Sequence, residues 1–274
     1  MTLSKIYFKA MNTLFPSVLA KQVYQFMSNP RVKKLRAFED EILEQAEQEQ
    51  IKFKKFDIQT YRWGNPENKV ALLIHGWEGQ AGNLGAMVDI LLAKNYYVVA
   101  FDGPAHGRSS KGNTNMFEFS ELATILLNKY KPTTIISHSF GSVTSMVAMS
   151  NNLEIPIHQW LAVTTPHDFR DRIEQVSETL GVGTKTINKV IEMVEADMGL
   201  SIDTLNMKNY GPKVKHVENA LIIHSKTDKV IPIESARIAH KEISQSQLIE
   251  LNNLGHYSIL WSDELKEIAT NQLN

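Results

Sequence analysis

The sequence predicts an α/β protein built on a doubly wound, mostly parallel sheet, and three observations carry that expectation. Short runs such as Val70-Ala71-Leu72-Leu73-Ile74 are wholly apolar, as suits strands covered on both faces. Stretches of helical spacing alternate with those runs, which is the mark of βαβ units. A β-branched run, Thr133-Thr134-Ile135-Ile136, ends abruptly at Ser137-His138-Ser139-Phe140-Gly141, after which Val143, Met146 and Val147 recur at helical spacing.

Taken in order, residues 3–28 predict a helix bent near Pro16, with Ile6, Met11, Leu14, Val18 and Phe26 suiting an amphipathic stripe. Pro30 separates it from a second helical pattern through Val32, Leu35, Phe38, Leu43 and Ala46. Residues 1–50 therefore read as an N-terminal helical extension and 51–274 as the main domain. The stripe of the extension either packs on that domain or docks a partner or a second copy. The charges from Arg31 to Arg36 read as a solvated face. From Ile51, the positions of Phe53, Phe56, Ile58 and Tyr61 suggest one or two strands before the turn at Gly64-Asn65-Pro66. Helices over 84–94 and 117–130 flank a strand over 97–101, and another strand covers 160–163.

Then the alternation stops. Roughly fifty residues of mainly helical pattern precede the next strand, at 220–223. Asp168 is placed to cap a helix carrying Phe169, Ile173, Val176 and Leu180. A second helix carries Ile187, Val190, Ile191, Val194 and Met198 and stops at Gly199. This insertion, 166–213, predicts a helical cap whose apolar stripe packs partly on the core and partly walls a pocket. A helix over 235–243, a strand over 248–251 and a last helix after Tyr257 complete the pattern.

Composition removes several classes of function. Lys and Arg total 29 against 30 Asp and Glu, so the whole chain has no net field for nucleic acid or an anionic membrane surface. Cysteine is absent, which excludes disulfides, thiol nucleophiles and thiolate metal sites, and fits a reducing, cytoplasmic setting. The alternative is a secretory signal, since Lys5 and Lys9 precede an apolar patch from Ala10 to Ala20. Asn12, Thr13 and Pro16 weaken that patch. No window reaches the roughly eighteen apolar residues of a membrane span. No His-x-x-x-His pair and no Gly-x-Gly-x-x-Gly after the first buried strand is present, so neither metal nor cofactor is expected. The expected partner is a small molecule, and the oligomeric state stays open.

The chemistry gathers on three loops. Ser139 stands at a strand-to-helix turn, where its hydroxyl would sit at the N-terminus of the following helix, and such a serine needs a base and an acid to act as a nucleophile. His256 lies just past the last strand and Asp228 just past the strand before it, and open α/β sheets build their sites at those strand ends. With the order Ser, Asp, His, the chain resembles the α/β-hydrolases over about residues 51–274. His75-Gly76-Trp77-Glu78-Gly79 resembles their oxyanion-side loop. Asp102-Gly103-Pro104-Ala105-His106-Gly107-Arg108-Ser109 resembles their Asp-x-x-Gly-x-Gly-x-Ser segment. Ser137 and Ala105 stand where the family usually has glycine; the turn at Ser137 is expected to survive with more crowded packing.

The resemblance implies a catalytic triad of Ser139, His256 and Asp228, with the backbone N–H groups of Trp77 and Phe140 as oxyanion donors. Asp168 is the rival acid, at a position some members use. The expected activity is a serine hydrolase that cleaves a small to medium carboxylic ester through an acyl-enzyme. The same triad also serves thioesters, amides, lactones and carbon–carbon bonds, and a non-catalytic binding protein on this fold is a further alternative. Trp77 either lines an acyl pocket or packs. Ser137 and Ser142 are expected to pack or hydrogen-bond within the turn, His138 to point away from Ser139, His75 and His106 to hold loops together, and Glu78 and Arg108 to be surface or loop-bracing charges.

Overall fold

A computed structural model describes residues 3–31 and 36–273, with the side chains of 3–7, 9 and 198 left out. The expectations on Ile6, Val32, Leu35, the Met198 side chain and the charges of Lys33 and Lys34 lie outside the described residues. Three helices come first: α1 Leu3–Leu14, α2 Pro16–Met27 and α3 Ala37–Glu44. The expected bend is a break at Phe15, with Pro16 at the first turn of α2, where its missing N–H is harmless.

Strands β1 Glu47–Phe53, β2 Phe56–Trp63, β3 Lys69–Ile74 and β4 Tyr96–Phe101 follow, with α4 Ala86–Ala93 between the last two. The chain continues as α5 Met116–Tyr130, β5 Thr134–His138, α6 Phe140–Ser150 and β6 Ile157–Val163. After β6 come α7 Phe169–Thr179, α8 Thr184–Met198 and the short α9 Met207–Tyr210. The end is β7 Val217–Ser225, α10 Ile233–Glu242, β8 Ser246–Leu251 and α11 Asp263–Gln272. β1 begins ahead of Ile51, where the alternation starts. It is an edge strand whose Glu47–Gln50 side chains are exposed, so ion pairs from Glu47 and Glu49 to Arg62 take the place of an apolar face.

One sheet of eight strands runs β1-β2-β4-β3-β5-β6-β7-β8. The first two pairings are antiparallel and the rest are parallel. Side chains alternate between its faces. Leu72, Ile74, Ile135, Ala162 and Ile222 pack under α5, α6 and α10. Ala71, Leu73, Ile136, Val163 and Ile223 pack under α4 and α11. Both faces are buried, which is why the strands read as unbroken apolar runs.

Register then decides where the loops emerge. Ile74 pairs with Ser137, His138 with Val163, Val163 with Ile223 and Ser225 with Leu251. The strand ends therefore form one edge, and the loops after β3, β5, β7 and β8 stand side by side along it.

A third, smaller core lies away from the sheet. Leu19, Ala20 and Val23 of α2 pack with Ile173 of α7 and with Ile187, Val190 and Ile191 of α8. The part of the α8 stripe expected on the core thus packs on α2 and α7 instead of on the sheet. Asn12 adds hydrogen bonds to the Gly181 carbonyl and from the Gly183 amide.

Candidate active site

Each strand-end loop holds one of the polar residues singled out in the sequence. Ser139, between β5 and α6, has φ 53° and ψ −120°, a conformation that costs a non-glycine residue on the order of 1–3 kcal/mol. Surrounding structure holds it there: the Ser139 amide donates to the Val163 carbonyl at 2.8 Å, and the Ser142 amide donates to the Ser139 carbonyl at 2.9 Å. Gly141 permits the close approach, since a Cβ there would lie 2.4 Å from the Ile74 oxygen and 2.5 Å from that of His75. That contact brings the loop after β3 against the turn.

Ser137 is buried, and its hydroxyl accepts the Trp160 indole N–H at 2.9 Å and lies 3.1 Å from the Ser142 hydroxyl. The departure from glycine thus has a structural reason, because a buried indole N–H needs an acceptor.

His256 Nε2 is 3.1 Å from Ser139 Oγ, and its Nδ1 is 2.7 Å from Asp228 Oδ2. An ionised carboxylate only accepts, so the Nδ1 side carries the proton and Nε2 is left to accept from the serine hydroxyl. The other carboxylate oxygen takes the Val230 and Ile231 amides at 2.7 and 3.0 Å. Burial pushes the Asp228 carboxyl up, but the His256 hydrogen bond and charge, with the two amides, hold it below the ordinary carboxylate value. Asp168, by contrast, caps α7 through the Asp171 amide at 3.2 Å.

His138 turns away from Ser139, as expected, and finds a task that no sequence signal pointed to. Its Nε2–H donates to the His256 carbonyl at 2.9 Å, and the two rings lie 4.8 Å apart. Burial first, and the neighbouring His256 charge next, push the His138 imidazole well below its ordinary value. A neutral ring thus anchors the backbone of the His256 loop.

The loop after β3 is braced in the same manner. His75 Nδ1–H donates to the Gly76 carbonyl at 2.7 Å, while its Nε2 accepts the Gly103 amide at 2.9 Å. His106 Nδ1–H donates to the Pro104 carbonyl at 2.8 Å, and its Nε2 accepts the Glu78 amide at 3.1 Å. Burial lowers both imidazoles. Buried Asp102 gathers the Tyr61 hydroxyl and the Ala81 and Arg108 amides at 2.7–2.9 Å. Glu78 pairs with Arg31 at 3.0 Å, and Arg108 with Glu44 at 2.7 Å, so both are bracing charges. Phe140 opens α6, where an amide has no intrahelical partner. In the turns and loops of the described residues, neither its N–H nor that of Trp77 donates to a backbone carbonyl.

Above Ser139 and His256 is a cavity of about 290 Å³. Trp77 and Phe140 line it, their rings edge to face at 5.3 Å. Met146 and Val147 of α6 form one wall, and Phe169 and Val176 of α7 with Val194 of α8 form another. Tyr24, Phe26 and Met27 of α2 close it, so the N-terminal helices line the candidate site. Only the interleaving of α2 with α8 shows this, and periodicity along α2 does not reveal it. Arg172 also lines the cavity, and its Nη1 donates to the Val230 carbonyl at 2.8 Å, which ties α7 to the Asp228 loop. Among the described residues no three His, Asp or Glu side chains gather as metal ligands would.

Residues 71–270 match the profile of the Alpha/beta hydrolase family. An uncharacterized hydrolase of Bacillus subtilis, YugF, is 21% identical over 232 residues, covering 70% of this chain and 85% of that protein. A probable serine hydrolase of Drosophila melanogaster is 32% identical over 106 residues, 36% of this chain and 32% of that one. Among solved structures, Est1E of Butyrivibrio proteoclasticus with ferulic acid bound superposes with a TM-score of 0.63 at 16% identity. The superposition covers 81% of this chain and 96% of the other.

Proposed function

The chain belongs to the α/β hydrolase family, and from that premise we propose that it is a serine hydrolase cleaving a small to medium carboxylic ester, with Ser139, His256 and Asp228 as its triad. The observation that carries this reading is the unbroken hydrogen-bonded path from Asp228 through His256 to Ser139 at the floor of the cavity.

In this mechanism Ser139 Oγ attacks the ester carbonyl as its proton passes to His256 Nε2. Asp228 holds the imidazole in the tautomer that leaves Nε2 free and stabilises the cation that forms. Negative charge on the carbonyl oxygen is met by the Trp77 and Phe140 amides, each worth about 100-fold or more in rate. His256 then returns the proton to the departing alcohol, leaving an acyl group on Ser139. Water, activated by the same imidazole, releases the acid and restores the hydroxyl.

The apolar walls suit an acyl chain. A volume of about 290 Å³ falls just below the roughly 300–1,000 Å³ of small-molecule sites, in keeping with an ester of modest size. The cap, 166–213, together with α2, would exclude water during acylation.

The test is hydrolysis of short p-nitrophenyl esters, with labelling by a fluorophosphonate probe. Ser139→Ala is expected to lose the label and to lower kcat by about 10⁴-fold or more with its melting temperature unchanged. Unaltered turnover in that variant would remove the assignment. Thioesters, lactones and amides run beside the esters decide the bond class.

A further inference from the structure

The overall charge balance conceals a strong asymmetry. Residues 1–38 carry seven of the 29 Lys and Arg residues and none of the 30 Asp and Glu. A basic segment of this kind, where it is also amphipathic, suits an anionic membrane surface.

The second observation is geometric. Among the described residues, nine large hydrophobic side chains are exposed, and four of them lie between residues 14 and 26: Leu14 (67%), Phe15 (55%), Val18 (51%) and Phe26 (37%). Val18, Gln22 and Phe26 are four residues apart on α2 and so lie along one line. Leu19, Ala20 and Val23 occupy the other side and are buried against α7 and α8. α2 is thus covered by α7 and α8 on one side and on the other leaves Val18 and Phe26 exposed, with Gln22 between them. The uncovered side leads to the candidate site, because Phe26 is both exposed and part of the cavity wall. Cations flank it: Lys21 is exposed on the same helix, and the Arg31 guanidinium sits 4.0 Å over the Phe26 ring.

We propose that the face formed by the end of α1 and the outer side of α2 docks on an anionic lipid surface, with Leu14, Phe15 and Val18 entering the interface and Lys21 and Arg31 at headgroup level. The cavity rim at Phe26 then faces the membrane. A second copy fits this face poorly, since pairing it with itself would bring two wholly basic segments together. The inference does not depend on the proposed ester hydrolysis.

Co-sedimentation of the full chain with vesicles of phosphatidylglycerol or of phosphatidylcholine tests it. Binding is expected on the anionic vesicles only, and it should weaken steeply by about 0.5 M NaCl, where the Debye length falls to a few ångströms. Phe15→Gln with Val18→Gln should lower the partition coefficient by about tenfold, and Lys21→Glu by at least about fivefold. These positions are exposed, so circular dichroism melts of the variants should match the parent. Three results would overturn the proposal: no binding to phosphatidylglycerol, equal binding to both vesicles, or variants that bind as the parent does. Self-association abolished by Phe15→Gln and Val18→Gln, without vesicle binding, would assign the face to a second copy instead.

Discussion

The sheet edge and the roof above it meet the same cavity but are held by different forces. At the edge, position comes from backbone: Ser139 is held through the Val163 carbonyl and the approach of Gly141, Asp228 by two amides, and His256 by the His138 ring. Residues with positive φ gather there, with Glu78, Ala105, Ser139, Thr164 and Asn253 each just past a strand. Such strain persists only where the surroundings over-determine the chain. The roof has no sheet. α2, α7 and α8 hold one another through a small apolar core, with Asn12 and the Tyr24–Asp197 hydrogen bond at its margins. The edge is thus built to place atoms, and the roof to enclose volume, so damage to the two should be separable.

The sharpest break between them is expected at Asp228. Asp228→Asn keeps the shape but lets the imidazole take the wrong tautomer, and kcat should fall by about 10³–10⁴-fold with little change in KM. An equal loss in KM would mean that Asp228 shapes the cavity as well. Next in size is Leu19→Ala, which empties a site 1% exposed in the roof core and should cost about 2–4 kcal/mol in a denaturant melt. Fluorophosphonate labelling of Ser139 should persist in that variant, while preference between short and long acyl esters shifts. Loss of labelling instead would show that the roof also positions the edge.

The smallest effect is a slope. His75, His106 and His138 have folded values lowered by burial, so the unfolded chain takes up protons that the folded rings refuse. Stability is then full above the unfolded histidine value near 6.5 and declines below it, by up to about 1.4 kcal/mol per pH unit for each ring. Asp228, also lowered, adds a further loss only as pH falls below the ordinary carboxylate value near 3.9. Urea midpoints at pH 7.5 and 5.5 measure the slope, and His106→Gln should reduce it. A flat profile would mean that the three rings do not stay neutral in the fold.

Much of the edge was legible in the sequence because local chemistry repeats there. Buried parallel strands read as apolar runs, helices show their spacing, and a serine, an aspartate and a histidine each follow a strand. The role expected of His75 and His106 in holding loops together also matches their partners, since loop-bound polar residues near a buried turn need fixed acceptors and donors, while of the two roles open to Glu78 and Arg108 their ion pairs favour bracing. Less was legible where partners are distant in the chain. β1 reads as polar because an edge strand buries little. The contact of His138 with His256 spans 118 positions, and no pattern along the chain encodes it.

By itself, then, the sequence determined the alternating architecture and the three loops that bear Ser139, Asp228 and His256, because strand burial and turn chemistry are written within a few residues. Only the tertiary structure decided that Ser137 serves the Trp160 indole, that His138 anchors the His256 loop and that α2 closes the cavity. Each of those depends on which distant surface covers a side chain, and an apolar stripe shows that it will be buried without showing by what.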